Sequence, residues 1–235
     1  SSAASDVYKR QEYMDIVSFT KEIYMSFYEY ALKHSVNYKF EHMEEKLNLW
    51  FDPVQLQKVI FNLLSNAFKY TKAKGSITVS IRKIKNEVEI RVEDDGVGIS
   101  KESIHKIFDR FYQVDGQSSE FTLGTGIGLA VSKGIVELHK GNIRVESEVG
   151  QGSVFIVTLL TGNEHFPKEV LSDSESNFHL IKDGVLEDLA LEELMLEEPA
   201  KEQELTNEEK AGEMDIESKD SDNKPSILIV EDNLE

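Results

Sequence analysis

The sequence predicts an α/β fold: a two-layer sandwich in which a mixed sheet carries helices on one face. Three observations predict it. A long amphipathic helix opens at Asp52-Pro53 and runs to about Tyr70. Two pairs of alternating strands follow, and a second helix, from about Gly126 to Leu138, separates the pairs.

Each element has its own signal. Ile16, Phe19, Ile23, Phe27 and Tyr30 recur at steps of three and four, which predicts one helix ending near His34. A lone histidine there is more often a partner of the helix dipole than a catalytic group. Residues 38–40 and 47–51 alternate like short strands. Asp52 then reads as an N-cap with proline at the first helical position. Ile77, Val79 and Ile81, then Val88, Ile90 and Val92, form a hairpin turning at Lys85-Asn86. Ser100 is expected to cap a short helix reaching about Phe108, and a polar loop covers residues 113–124. The helix to Leu138 ends in His139-Lys140-Gly141, two potential cations and a C-terminal glycine. Strands over 143–146 and 154–160, joined by Gly150-Gln151-Gly152, complete the domain.

The chain has 235 residues and a formal charge of −18. Residues 162–224 hold 20 acidic and 6 basic residues, so the acidity belongs mainly to that stretch. It reads as a solvated, largely disordered linker, with a leucine-rich patch at 186–196 that could form a transient docking helix. The charge argues against nucleic-acid contact, which needs concentrated Lys and Arg. There is no cysteine, which removes disulfides and thiolate metal sites. No apolar run approaches the roughly 20 residues that span a bilayer.

Three clusters carry chemistry. Asn62, Asn66 and Lys69 fall within an arc of about 60° on the long helix. Leu56, Val59, Ile60, Leu63, Leu64 and Ala67 fill the neighbouring arc. A polar solvent face is the plainer reading, yet asparagine is a poor helix-interior residue. Its carboxamide oxygen can ligate Mg²⁺, and Lys69 would add charge for phosphates. The second cluster, Asp94-Asp95-Gly96-Val97-Gly98-Ile99, follows a strand. A carboxylate there can accept from an adenine amino group, and the glycines allow close backbone approach. Alone, it reads as an ordinary Asp-Gly turn. The third, Gly124-Thr125-Gly126-Ile127-Gly128-Leu129, runs from a polar loop into a helix whose N-terminus suits phosphate. It is neither a Walker loop nor a dinucleotide fingerprint, and a flexible hinge is the alternative.

The order of these clusters, with Ile107-Phe108-Asp109-Arg110-Phe111-Tyr112 between the second and third, is far more specific than any one of them. Over about residues 16–160 the chain resembles the catalytic ATP-binding domain of sensor histidine kinases, in the GHKL superfamily. The N box corresponds to residues 62–70, the first glycine box to 94–98, the F box to 108–112 and the second glycine box to 124–128. The resemblance implies the Bergerat ATP-binding fold, with ATP and Mg²⁺ as cofactors. It implies Asn66 as metal ligand, Asn62 and Lys69 near the transferred phosphate, Tyr70 beside the nucleotide and Asp94 on adenine. Gly96, Gly98 and Ile99, with Gly124, Thr125, Gly126, Ile127, Gly128 and Leu129, would complete the nucleotide site. Residues 113–124 would form a lid.

The family's acceptor motif, a histidine followed by an acidic residue, is absent from all six histidines. The resemblance therefore implies an upstream dimerisation and histidine phosphotransfer domain in a homodimeric parent. Residues 1–12 are expected to be a non-native or disordered start, 13–161 the catalytic domain and 162–224 the acidic linker. The end, Ile227-Leu228-Ile229-Val230-Glu231-Asp232-Asn233, looks like the first strand and acidic pair of a response-regulator receiver, here over residues 225–235. That suggests a hybrid two-component kinase, the cytoplasmic part of an inner-membrane sensor, and Leu49-Trp50-Phe51-Asp52-Pro53 resembles the Bacteroidetes type. The alternatives are a conformational GHKL ATPase or a nucleotide-binding regulatory module. Such ATPases typically place a glutamate base where Asn62 stands.

Overall fold

A computed structural model describes residues 11–113 and 126–171. Most of the expected lid, Gly124, Thr125, the linker beyond Leu171 and the receiver-like end lie outside the described residues.

The chain starts with β1 (Glu12–Asp15) and passes into α1 (Ile16–Ser26) and α2 (Tyr28–Lys33). The single helix expected here is therefore two. Phe27 closes a tight turn to Tyr24 O at 3.2 Å, and its fully buried ring packs on Phe61 and Phe68 of the next long helix. Then come β2 (Asn37–His42), β3 (Asn48–Phe51), α3 (Pro53–Tyr70), β4 (Ser76–Ile84) and β5 (Glu87–Asp94). The remaining elements are α4 (Lys101–Ile104), α5 (Gly128–Leu138), β6 (Asn142–Glu148) and β7 (Gly152–Leu160).

Among the described residues the main sheet runs β2-β4-β5-β7-β6, and a separate pair joins β1 to β3. The β2–β4 pairing is parallel and the others are antiparallel, giving the mixed sheet expected. Register puts Val79, Val92 and Phe155 in one row and Ile81, Ile90 and Val157 in the next. These rows are buried beneath the helices. Leu56, Val59, Ile60, Leu63, Leu64 and Ala67 of α3 all enter the core, as the arc predicts. Each fully buried aliphatic side chain contributes about 1.5–3 kcal/mol.

The outer face of the sheet is polar but not open. Ile156 lies between Arg91 and Arg144 in register and is fully buried. Arg144 crosses β7 to reach Glu89 Oε1 at 3.0 Å, and Arg91 reaches Oε2 at 3.3 Å. The aliphatic stems of the two arginines flank the isoleucine.

Several sequence expectations are corrected. Ser100 makes no side-chain cap; its hydroxyl donates to Ser103 Oγ at 3.0 Å, and the α-helix stops at Ile104. His139 is not an exposed cation. It is 1% exposed, and Nε2 accepts from the Asp52 backbone N–H at 3.0 Å. Nδ1 therefore carries the proton and donates to Ile135 O at 2.8 Å, so the ring is neutral. Residues just outside the expected bounds of 13 and 161 also make contacts with the domain. Glu12 pairs with Phe51, Gln11 N–H donates to Val170 O at 2.8 Å, and Phe166 is buried. One- and two-residue pairings of this kind leave no periodicity to read.

Replacing His139 by alanine strands the Asp52 N–H and should cost about 1–3 kcal/mol. His105→Ala, at an exposed turn, should stay within about 0.5 kcal/mol. Thermal unfolding of the two variants beside the parent checks both values.

Candidate functional site

Three elements meet around the C-terminal half of α3. Asn62 and Asn66 lie one turn apart and are half-buried, with Lys69 a further turn along. Lys69 Nζ lies 5.9 Å from the centroid of the Tyr70 ring, which is 40% exposed. The Asn66 side chain has no hydrogen-bond partner among the described residues.

The first glycine box docks at the end of α3. Val97 N–H donates to Tyr70 O at 3.3 Å, and Asp95 N–H to Ser76 O at 3.2 Å. Gly96 N–H donates to Asp94 Oδ1 at 3.0 Å. The close approach these glycines permit is to the chain's own backbone. Gly98 has φ +69°, and a Cβ there would collide with the Glu148 carbonyl. Ile99 N–H donates to Ser147 Oγ at 2.8 Å, so Gly98 and Ile99 fasten the loop to the β6–β7 turn.

Asp94 is 6% exposed. Burial pushes its carboxyl up to about 6, against the opposing effect of the Gly96 and Ser153 N–H groups. Asp95 and Glu93 add to the rise. The carboxylate is an acceptor held out of water, which suits recognition of an amino group. A cavity of about 340 Å³ at this end of the sheet is lined by Glu93, Asp94, Glu146, Glu148, Gln151 and Ser153. Its rim is acidic and unfavourable for polyphosphate.

The N-terminus of α5 is of the kind that receives an anion. Its N-cap is Ile127, and no side-chain cap hydrogen bond is made there among the described residues. Gly126 O accepts from Phe111 N–H at 2.9 Å, joining this segment to the F box. Gly128 lies directly against the Asn62 carboxamide, where a Cβ would displace the side chain. Leu129 is half-buried against the core, and Ile127 is exposed. The structure thus brings Asn62 to Gly128, and Asp94 and Gly96 to the foot of α3. Gly124 and Thr125 lie outside the described residues.

Reading the sequence missed two residues. Ser132 is 1% exposed and accepts from Asn62 Nδ2 at 3.0 Å. Ser153 sits opposite Asp94 in the β5–β7 register and donates a backbone N–H to its carboxylate. A buried serine one turn after Gly128, and the Gly152-Ser153 step after a turn, were the available signals.

A buried carboxylate at the end of β5, a carboxamide-bearing helix and a helix N-terminus beside it form a site of the kind that nucleotide-binding domains use. Residues 51–163 match the family of histidine kinase-, DNA gyrase B- and HSP90-like ATPases. Histidine kinase P4 of Formosa agariphila is 42% identical over 163 residues, 68% of this chain and 12% of that protein. Sensor protein kinase WalK of Staphylococcus aureus is 39% identical over 127 residues, 53% of this chain and 29% of that protein. The nucleotide-free catalytic domain of histidine kinase ThkA superposes with a TM-score of 0.58 at 28% identity, covering 65% of this chain and 96% of that one. Residues 51–163 belong to this ATPase family, and the domain is similar to the catalytic domains of histidine kinases. The chain spans less than a third of these two curated relatives.

Two predictions follow from Asp94. With Asp94 as the acceptor of the adenine amino group, as the family resemblance implies, Asp94→Asn should weaken ATP about ten- to a hundredfold; calorimetry checks this. The folded-state pKa lies above the ordinary 3.8. The native state thus binds the proton more tightly, and the unfavourable contribution of Asp94 is complete above about pH 6 and absent below about 3.8. Nucleotide-free Asp94→Asn should therefore melt higher than the parent at pH 8, with the gap closing as pH falls toward 4. Thermal unfolding across that range checks it.

Proposed function

We propose that this domain binds Mg-ATP and donates the γ-phosphate to a histidine on an upstream dimerisation and phosphoacceptor domain. The parent would be a homodimeric hybrid sensor kinase of two-component signalling. The observation that carries the reading is the junction of α3 and α5, where Asn62, on the helix that also bears Asn66 and Lys69, lies against the first turn of α5.

The residues fit the group they would hold. Asn66 would ligate Mg²⁺ through its carboxamide oxygen, with phosphate and water oxygens as the other ligands. When bound, the ion supplies charge neutralisation to the phosphates. Lys69 adds positive charge on the same face, and the first turn of α5 orients the anion. Asp94 accepts from the adenine amino group, and Tyr70 lies beside the nucleotide. These residues position and neutralise, which is what phosphoryl transfer asks of a protein. Asn62 has no basic atom with which to activate water, so its presence favours a protein acceptor over hydrolysis.

A partner domain has a place to rest. Ile127, Val131 and Leu138 are 36%, 47% and 56% exposed, and their spacing sets them along one side of α5. Phe111, 73% exposed, lies beside its N-terminus. ThkA has been solved in complex with the response regulator TrrA, at a TM-score of 0.57 and 27% identity to this chain. By that analogy a receiver, whose first strand residues 225–235 resemble, would take the phosphate onward. Residues 13–161 act as the kinase module in this reading and 162–224 as the linker. No described helix is long and apolar enough to cross a membrane, and an inner-membrane anchor would belong to the rest of the parent.

Asn66→Ala should lower ATP affinity much more with Mg²⁺ than without it. Equal Mg²⁺ dependence in the two proteins would remove the ligand role. In a γ-³²P-ATP experiment the chain alone should stay unlabelled, whereas adding the upstream domain should give an acid-labile, base-stable phosphohistidine. Asn66→Ala with the upstream domain should stay dark. Labelling of the chain alone, or rapid ATP turnover without an acceptor, would overturn the donor assignment.

A further inference from the structure

Ser132 is a polar residue in a place that favours alanine. It lies in the middle of α5, it is 1% exposed, and alanine there would be the better helix former with no hydroxyl to satisfy. Its hydroxyl has a use: Asn62 Nδ2 donates to Oγ at 3.0 Å. One turn earlier on the same face, Gly128 lies against the other end of that carboxamide, with Asn62 Oδ1 the nearest atom to the missing Cβ. The Asn62 side chain is thus gripped from both sides by α5.

We propose that Ser132 is a positioning residue of the nucleotide site. It holds the Asn62 carboxamide by its nitrogen, so that the oxygen is turned toward the first turn of α5. A free carboxamide can present either end, and the two differ in being donor and acceptor. In the arrangement observed the Ser132 hydroxyl accepts, and the carboxamide plane is held between Ser132 and Gly128. The helix whose N-terminus receives the anion also orients the polar side chain beside it, so the two halves of the site move together. The proposal rests on the reading of Asn62 as a phosphate-side residue.

The test is a double-mutant cycle on the 235-residue chain, with Mg-ATP affinity measured by calorimetry and nucleotide-free unfolding followed in parallel. Ser132→Ala should weaken Mg-ATP about five- to tenfold. Ser132→Thr, which keeps the hydroxyl, should stay within about twofold of the parent. In an Asn62→Ala background, Ser132→Ala should add less than about twofold, because its effect passes through Asn62. Unchanged affinity in Ser132→Ala, a threonine variant as weak as the alanine one, or an undiminished loss in the Asn62→Ala background would each overturn the proposal. Absence of Mg-ATP binding by the parent, or an Asn62→Ala variant that binds like it, would instead overturn the underlying reading and the proposal with it.

Discussion

The close packing of α5 on α3 is the constraint on which the rest of the domain depends. At Asn62 it depends on what Gly128 lacks: a Cβ there would displace the carboxamide from its place between the helices. It is sealed by hydrogen bonds near each end of the contact, Asn62 to Ser132 and the Asp52 N–H to His139. Between them Ile135 and Val136 supply apolar burial. The sheet supports the pair from below, with α3 lying on β5 and α5 on β6 and β7. Two motifs more than sixty residues apart in the chain thereby form one surface.

Strand β5 shows how the fold treats buried carboxylates. Glu89, on the outer face, is met by two guanidinium groups. Asp94, at the strand end under the helices, has only backbone N–H donors, and no ion pair to it occurs among the described residues. The first arrangement settles a charge and the second leaves one unsettled. A carboxylate kept dry without a cation weakens the empty domain, and a ligand that supplies a donor relieves it. The difference separates a charge-paired acid from one held by backbone N–H groups alone within a single strand.

The parts legible in the sequence were those that obey a period. The core arc of α3, both hairpins and the sheet rows repeat at 3.6 or 2 residues, and the structure places them as expected. The glycine and asparagine boxes were legible because their order is specific even where each is ordinary. What stayed hidden depends on partners distant in the chain. Nothing near Phe27 is a helix breaker; its ring is drawn aside by Phe61 and Phe68. His139 looked like a terminal cation because Asp52, which makes it a neutral acceptor, lies 87 residues away. Ser132 and Ser153 take their roles from Asn62 and Asp94, and serine in a helix or at a strand start announces neither.

The bridge between Gln11 and Leu171 has a consequence for how such a domain is carried. The polypeptide arrives and departs through adjacent points, so the folded body is a side branch rather than a span. The two threads of chain that continue from these residues share one anchorage. Tension applied across the threads would pull first on a single parallel bridge and the packing of Phe166, and only afterwards on the sheet. The five-stranded sheet and α3 take no part in that bridge, so its loss would leave their pairings in place.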